Sequence, residues 1–589
     1  MLRQIVLRDA TTDAWLVFAD PLEVRVARNP AEVVPVLEQA ERQAREEGRY
    51  AAGFVSYEAA PAFDPAFVTR PGAALPLACF GIFAAPERLA TLPEPRPGAL
   101  QRWTLAGSRA AYLANIAAIR RQIEAGNTYQ VNYTVRQRAA GLDDPWSFFL
   151  RIAAEAPYGA WVDLGARKIV SASPELFFEL DGERVTCRPM KGTAPRGLTA
   201  EADLVMRRQL EASAKDRAEN VMIVDMVRND LGRVARPDTV RVPVLFETEK
   251  YRTVWQLTST VTGSTDCSVV DLFRALFPSA SITGAPKVAS MQIIAGLEAS
   301  PREAYTGAIG YIAPARRARF NVAIRTAVVE ESGEATYGVG GGIVWDSVAE
   351  DEYQECLNKT RVLERPLPAA DFCLLETMLW TPAEGYRLLD EHLDRLAASA
   401  DYFDFGFRRA ALARHLDALA RTLDAAPRRV RLLLERGGTA RTEVTWVGTG
   451  AQRPRRVALA ASPIDPGDPF LYHKTTERAL YDAARAAAPG CDDVLLWNPD
   501  GCVTEATTAN LLVQIQGRLY TPPVECGLLD GTLRRKLVRD GVVRERRIRI
   551  DELACAEELK LANSVRGIVP CELDEASLAR CRGRAGGGT

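Results

Sequence analysis

The sequence predicts a mixed α/β (α+β) chain made of two folding units, on three observations. At 589 residues it is longer than one hydrophobic core serves. Strand-like apolar runs alternate with segments of helical period from the N-terminus onward. The stretch "ERPLPAADF" (364–372) then breaks the pattern with two prolines between a helical segment and a new apolar run.

In chain order, "YAAGFVSYEA" (50–59) reads as a strand, and "YLANIAAIRRQIEAG" (112–126) as a helix closed by Gly126. "EDEYQECLNKTRVL" (350–363) is helical, and the linker is expected at 366–370. Beyond it, "FCLLETMLW" (372–380) opens a second unit with a strand, and "LLDEHLDRLAASADYF" (388–403) is an amphipathic helix. "RRVRLLLERGG" (428–438) and "VTEATTANLLVQIQGRLYTPP" (503–523) are strand-rich. The expected organisation is a variable N-terminal part over 1–99, a catalytic part over 100–365, and a second unit over 371–575. The Gly- and Arg-rich end, 576–589, reads as a disordered tail with nothing to bury.

Composition narrows the function. Lys and Arg (74) balance Asp and Glu (76), so no global field attracts nucleic acid or an anionic membrane, and neither is expected as a partner. Eleven scattered cysteines without a CxxC pair disfavour a disulfide framework and a zinc ribbon, which fits a reducing cytoplasm. The start lacks an apolar signal core, and no later run is long enough to span a bilayer. Three histidines leave little room for His-rich metal sites or Ser-His-Asp triads, so acid–base work falls to Lys, Glu, Asp or Tyr.

Several residues stand out on chemistry alone. In "CRPMKGTAPRG" (187–197), Pro189 and Gly192 fix the backbone around Lys191, which is either a solvated charge or a nucleophile. Glu219, with Glu352 and Glu355 three apart on one helical face, offers hard oxygen ligands for Mg²⁺; the alternative is a solvated acidic helix. Arg325, Lys359, Tyr305 and Gly340-Gly341-Gly342 suit a carboxylate substrate, since Arg binds carboxylate in two-pronged fashion and glycines admit close backbone approach. For Arg325 the alternative is a structural ion pair.

The ordered series "SASPELFFEL", "RPMKGTAPRG", "KDRAENVMIVDMVRNDLGR", "SITGAPK", "AYTGAIGY", "FNVAIRT" and "YGVGGGIVWDSVAEDEYQECLNK" resembles the chorismate-using enzymes of the anthranilate synthase component I type. The resemblance implies Mg²⁺ on Glu219, Glu352 and Glu355. It also implies a substrate pocket including Gln130, Thr283, Gly284, Tyr305, Arg325, Gly341, Gly342 and Lys359. Members that add water resemble one another in a lysine where this chain has Gln130, and Gln is no base. Anthranilate synthases carry Ala where this chain has Lys191, as aminodeoxychorismate synthases commonly do. The branch resembled thus implies that Lys191 attacks the ring at C2 while Glu175 protonates the departing C4 hydroxyl, after which ammonia adds at C4. Gln256 replaces a His common among relatives, and Ser279-Ala280 replaces a Gly-Gly pair. No G-x-C-x-G glutaminase elbow occurs, so a separate glutamine amidotransferase is the expected ammonia source.

In the second unit "EHLDRL", "YHKTTER", "VTEATTANLLV", "GLLDGTLRRKL" and "LANSVRGIVP" resemble the fold-type IV pyridoxal-phosphate enzymes, which include D-amino acid aminotransferases and aminodeoxychorismate lyase. The resemblance implies that Lys474 bonds the cofactor, Glu505 pairs with its pyridine nitrogen, and Arg395, the backbone of Thr532 and Leu533, and Ser564 hold its phosphate. It also implies a homodimer. The alternatives are that Arg395 is a solvated helix residue and "TEATTAN" an ordinary polar strand. Taken together, the expected activity converts chorismate to 4-amino-4-deoxychorismate and then eliminates pyruvate to give 4-aminobenzoate for folate. The competing readings are an anthranilate synthase component I fused to a branched-chain or D-amino acid aminotransferase, a chorismate or amino-acid sensor, and a docking scaffold.

Overall fold

The computed structural model describes residues 2–96, 101–153, 156–364, 372–448 and 453–579. The chain divides into two compact units, Met1–Arg196 with Met206–Leu367, and Pro368–Thr589 with Gly197–Val205. The expected linker, 366–370, lies outside the described residues.

The first unit is built on two ten-stranded sheets. Successive residues of a strand point to opposite faces, and the sequence uses both. In the strand Gln4–Asp9, Ile5 and Leu7 join Phe18, Val162 and Ile169 of the same sheet against Phe54, Phe83 and Ile309 of the other. Their neighbours Val6, Trp161 and Val170 turn outward to a second core with Ile116, Phe149 and Leu363 of three covering helices. On the far face of the other sheet, Leu37, Val224 and Phe273 of the helices Pro30–Glu46, Ala214–Gly232 and Val269–Leu276 pack on Phe80 and Phe320. The layers therefore run helix, sheet, sheet, helix.

The N-terminal part is woven through both sheets. Gln4–Asp9 pairs with Tyr158–Asp163, and Tyr50–Val55 pairs with Ala308–Ala313, all antiparallel. The helix expected to close at Gly126 is Arg109–Glu124; Ser108 caps its start, and Gly126 takes φ 75° just past its end.

Arg302 ties these parts to the loop that follows residue 278. Its guanidinium bonds Glu298, the carbonyls of Ile282 (2.8 Å) and Asn132 (2.7 Å), and lies 4.5 Å over the Tyr57 ring. Glu58 accepts the backbone N–H groups of Arg302 and Glu303, and burial pushes its carboxyl up to about 7.

In the second unit, the helix Leu389–Phe403 sets Leu393 and Leu396 against Leu374, Met378 and Leu432 of a four-stranded sheet. An eight-stranded sheet forms the rest, with Arg455–Leu459 parallel to both Asp493–Trp497 and Gly567–Leu573. The expected end at Glu575 needs correction. Residues 575–579 are helical, Leu578 is buried in the sheet's core, and the Ser577 hydroxyl accepts the Leu459 N–H at 2.9 Å. Leu578 is the apolar side chain that the tail reading overlooked. Residues 580–589 lie outside the described residues. Among the described residues no helix is long and apolar enough to cross a membrane.

Arg302→Met removes the two-pronged partner of the buried Glu298 and leaves it Thr134 and a more distant Arg136 at 3.9 Å, so it is expected to lower unfolding stability by about 3 kcal/mol in chemical denaturation of the full chain. Unchanged stability would show that the buried pair is dispensable.

Candidate active sites

The strand Met190–Pro195 pairs with Val254–Ser264 as Met190↔Thr258 and then Thr193↔Gln256. Lys191 and Gly192 thus stand opposite Leu257 alone, a bulge that re-aims the lysine. Gly192 has φ 101°, and a Cβ there would lie 3.0 Å from that of Asp216, so glycine is required. Asn220 donates to the carbonyls of Lys191 and Leu257, both at 3.2 Å, and pins the bulge. The frame seen in the sequence around Lys191 has this physical basis.

The Lys191 side chain is 15% exposed, with its amine 3.6 Å from Glu219 Oε2. Gln130 Nε2 donates to the same oxygen at 3.4 Å. Opposite lies the glycine run of the strand Ala335–Ile343. A Cβ on Gly342 would stand 2.2 Å from Lys191 Nζ and 2.4 Å from Gln130 Nε2. One on Gly341 would stand 3.1 Å from Glu352 Oε2 and 4.0 Å from both Glu355 Oε1 and Lys359 Nζ. The two glycines are the gap around which the lysine, the amide and the acids gather.

Glu175, in the turn between Arg167–Ser173 and Leu176–Asp181, is buried. Burial pushes its carboxyl up to about 8, against a 2.6 Å hydrogen bond from the Ser281 hydroxyl and the charge of Lys191. It therefore carries a proton at neutral pH, as a general acid must. Ser281 in turn bonds Ser279 at 3.0 Å, so the Ser279 that departs from the relatives' pattern supports the acid's partner. Gln256, the other departure, accepts from Thr193 at 3.1 Å.

Arg325 adopts φ 50°, unusual for a non-glycine residue, and its guanidinium makes no hydrogen bond or ion pair with a described residue. It lies 5.9 Å from the Tyr251 ring. A half-buried cation without a partner is a ready carboxylate site. The other expected substrate residues differ in kind. Tyr305 packs its ring against Gly338, where a Cβ would come within 2.2 Å. The Thr283 hydroxyl is fully buried and donates to Ser279 O at 3.0 Å, while Gly284 sits where a Cβ would strike Gln130 O at 2.1 Å. Those two shape the loop. Lys359 bonds Glu355 at 2.6 Å and Gly340 O at 2.8 Å.

The acids expected to hold Mg²⁺ are engaged with the protein. Burial raises Glu352, which accepts from Ser347 at 2.7 Å. Glu355 is held below the usual carboxylate range by Lys359 despite its burial. Among the described residues no three His, Cys, Asp or Glu side chains form a ready metal-holding group. Glu352 and Glu355 do converge on Gly341, and a set of three carboxylates with Glu219 is chemically right for Mg²⁺. The charge of Lys215, passed over in the sequence, acts to lower the carboxyls of both Glu352 and Glu355.

In the second unit, burial and the neighbouring Arg395 bring the Lys474 amine down to about 8, and it bonds no described residue. Burial pushes Glu505 up to about 7; it accepts from Tyr481 at 3.0 Å and Asn510 at 3.3 Å. A protonated pyridine would restore the favoured charge there. Arg395 gives three N–H groups to Glu376 and to Asp530 O, which leaves two. The helix Thr532–Arg539 begins beside it, with the N–H groups of Thr532 and Leu533 free of intrahelical partners. Gly531 before it sits where a Cβ would lie 2.0 Å from Asn510 Oδ1. Ser564 donates to Thr377 O at 3.1 Å. An unpartnered buried amine, a buried acid and an anion-binding helix end fit a pyridoxal phosphate.

A family model described as chorismate binding enzyme matches residues 3–365. The chain belongs to the chorismate binding enzymes. The match begins well before residue 100, as the interwoven N-terminal strands require. A second model, amino-transferase class IV, matches residues 373–573. Aminodeoxychorismate synthase component 1 of Salmonella typhimurium is 42% identical over 269 residues, 45% of this chain and 59% of that protein. The Escherichia coli protein of the same name is 41% identical over 268 residues, with equal coverage. Aminodeoxychorismate synthase of Streptomyces griseus is 42% identical over 287 residues, 47% of this chain and 40% of that protein. The matched stretches thus span between 40% and 59% of these relatives. Anthranilate synthase component I from Streptococcus pneumoniae shares the chorismate binding fold at 24% identity and TM-score 0.52, over 62% of this chain and 92% of that one.

Gly342→Ala sets a methyl where the Lys191 amine and the Gln130 amide now lie. Turnover of chorismate with ammonium and Mg²⁺ is expected to fall at least about tenfold through displacement of these tips, with near-native thermal stability. Full activity in a steady-state assay would show that the gap is not needed.

Proposed function

We propose that the chain makes 4-aminobenzoate in two steps, aminating chorismate in its chorismate binding unit and eliminating pyruvate in its class IV unit. The observation that carries the reading is the Lys191 amine at the Gly342 gap, with protonated Glu175 coupled to it. Similarity to aminodeoxychorismate synthases over this half of the chain supports it.

In the first step the lone pair of the Lys191 amine bonds ring carbon C2, the double bond shifts, and the C4–O bond breaks as Glu175 gives its proton to the leaving water. Ammonia then bonds C4, the double bond returns, and the C2–N bond breaks to release Lys191 as the free amine. Glu175 regains its proton from solvent. Arg325 takes a substrate carboxylate. Glu219, Glu352 and Glu355 would hold Mg²⁺, which supplies charge neutralisation at the ring carboxylate. Ammonia comes from a separate glutamine amidotransferase, in keeping with the component 1 designation of the relatives.

In the class IV unit, bound pyridoxal phosphate supplies an electron sink. Arg395, the Thr532 and Leu533 N–H groups and Ser564 would hold its phosphate, and Glu505 its ring nitrogen. Lys474 Nζ, brought down to about 8, takes the C4 proton of the aminated ring, and loss of pyruvate leaves an aromatic product. An amino-transfer reaction would need a second donor and acceptor that the first unit does not provide. The strand Ala440–Trp446 is a sheet edge that exposes Val444 and Trp446, which suits a homodimer through this unit. A cytoplasmic setting belongs to the same reading.

Product analysis with chorismate, ammonium, Mg²⁺ and pyridoxal phosphate is expected to give 4-aminobenzoate; 2-aminobenzoate would reject the reading. Lys191→Ala should abolish amination, and an unchanged rate would remove its role as nucleophile. Glu175 is protonated below its raised value, so the acid-dependent rate is full at lower pH and falls as pH rises through about 8. Glu175→Gln should lose that descending limb together with most activity in a pH–rate profile.

A further inference from the structure

Two buried ionisable groups of the class IV unit have no part in the chemistry above. Glu376, on the strand Leu374–Thr381, and His392, on the helix Leu389–Phe403, are both 1% exposed. Glu376 accepts two hydrogen bonds from Arg395, Nε at 2.9 Å and Nη2 at 2.7 Å, and a third contact at 2.5 Å from His392 Nδ1. The far side of that imidazole, Nε2, meets the Thr532 hydroxyl at 3.3 Å. One carboxylate is therefore joined to two members of the expected phosphate subsite, directly to Arg395 and through His392 to Thr532.

The charges fix how the chain of contacts is wired. Despite its burial, Glu376 is held down to about 2 by Arg395 and His392, so it is a carboxylate and can only accept. Burial lowers His392 despite Glu376, and Arg395 and Lys474 lower it further. A neutral ring with its proton on Nδ1 leaves Nε2 as acceptor for the Thr532 O–H. That bond keeps the hydroxyl from turning onto the free N–H groups at the helix start, which stay open for an anion. The same carboxylate locks Arg395 in one plane, with its two remaining N–H groups free. An isolated structural ion pair would need neither the histidine nor the threonine.

We propose that Glu376 is the positioning residue of the phosphate subsite, orienting Arg395 directly and Thr532 through His392 for the phosphate of a pyridoxal-type ligand. This rests on the reading that the unit holds pyridoxal phosphate.

The test compares the full-length chain with its Glu376→Gln variant, titrated by absorbance with pyridoxal phosphate and with pyridoxal, which lacks the phosphate. Glu376→Gln should weaken pyridoxal phosphate at least about tenfold and leave pyridoxal unchanged, so that the ratio of the two constants collapses. Equal weakening of both ligands, or of neither, overturns the inference. Should that variant fail to fold, Thr532→Val and His392→Asn take its place. Each is expected to weaken only pyridoxal phosphate, and the double variant no more than the stronger single one, because they act in series. Additive losses, or losses shared with pyridoxal, overturn it. Wild-type chain that binds no pyridoxal phosphate would sink the cofactor reading as well, whereas tight wild-type binding matched by every variant sinks this inference alone.

Discussion

A methyl group at position 342 would stand where the tips of Lys191 and Gln130 now lie, and that gap organises the first site. Lys191 comes from a bulged strand of one sheet, Gln130 and the glycine run from the other, and Glu352 and Glu355 from a helix. These elements converge only because the strand between them is bare backbone. Glycine in a strand interior costs stability through lost packing and chain entropy. Here the cost is offset by the strand's other residues, Tyr337, Val339 and Ile343, which are buried in the core under the helices, and by its pairing with a neighbouring strand on each side.

The two lysines illustrate how placement decides the task of one side chain type. Lys191 keeps company with carboxylates, Glu219 at 3.6 Å and Glu175 further in. Burial brings the Lys474 amine down to about 8, with Arg395 and Arg478 adding to the effect against the acids Glu376 and Glu505. Both amines sit beside a buried acid raised toward neutrality, Glu175 or Glu505, so each pocket pairs a nitrogen with a carboxyl whose proton is mobile near physiological pH.

Much of this was legible in the sequence, and what was not has a common cause. Pro189 and Gly192 flagged Lys191 because backbone constraint is written locally, and helical spacing put Glu352 and Glu355 on one face. The hydrogen bond from Ser281 to Glu175 spans 106 positions, and no periodicity announces it. Glu376 and His392 were hidden likewise, since an apolar strand and an amphipathic helix conceal which polar residue turns inward. Thr283 and Gly284 carried a motif's signature, yet their atoms are spent on the loop itself. Leu578 escaped notice because one apolar residue in a basic, glycine-rich end does not reveal the core it meets.

The weaving of the first strands through both sheets bears on how such a protein is dissected. Every residue assigned to chemistry in this unit follows position 100, which invites the thought of a minimal catalytic fragment. A fragment of that kind would bare Val162, Ile169 and Ile309 on surfaces that Ile5, Phe18 and Phe54 now cover, and would leave Tyr158–Asp163 and Ala308–Ala313 with unpaired edges. Exposed greasy faces beside open strand edges drive chains together, so the excised piece would clump before it catalysed anything.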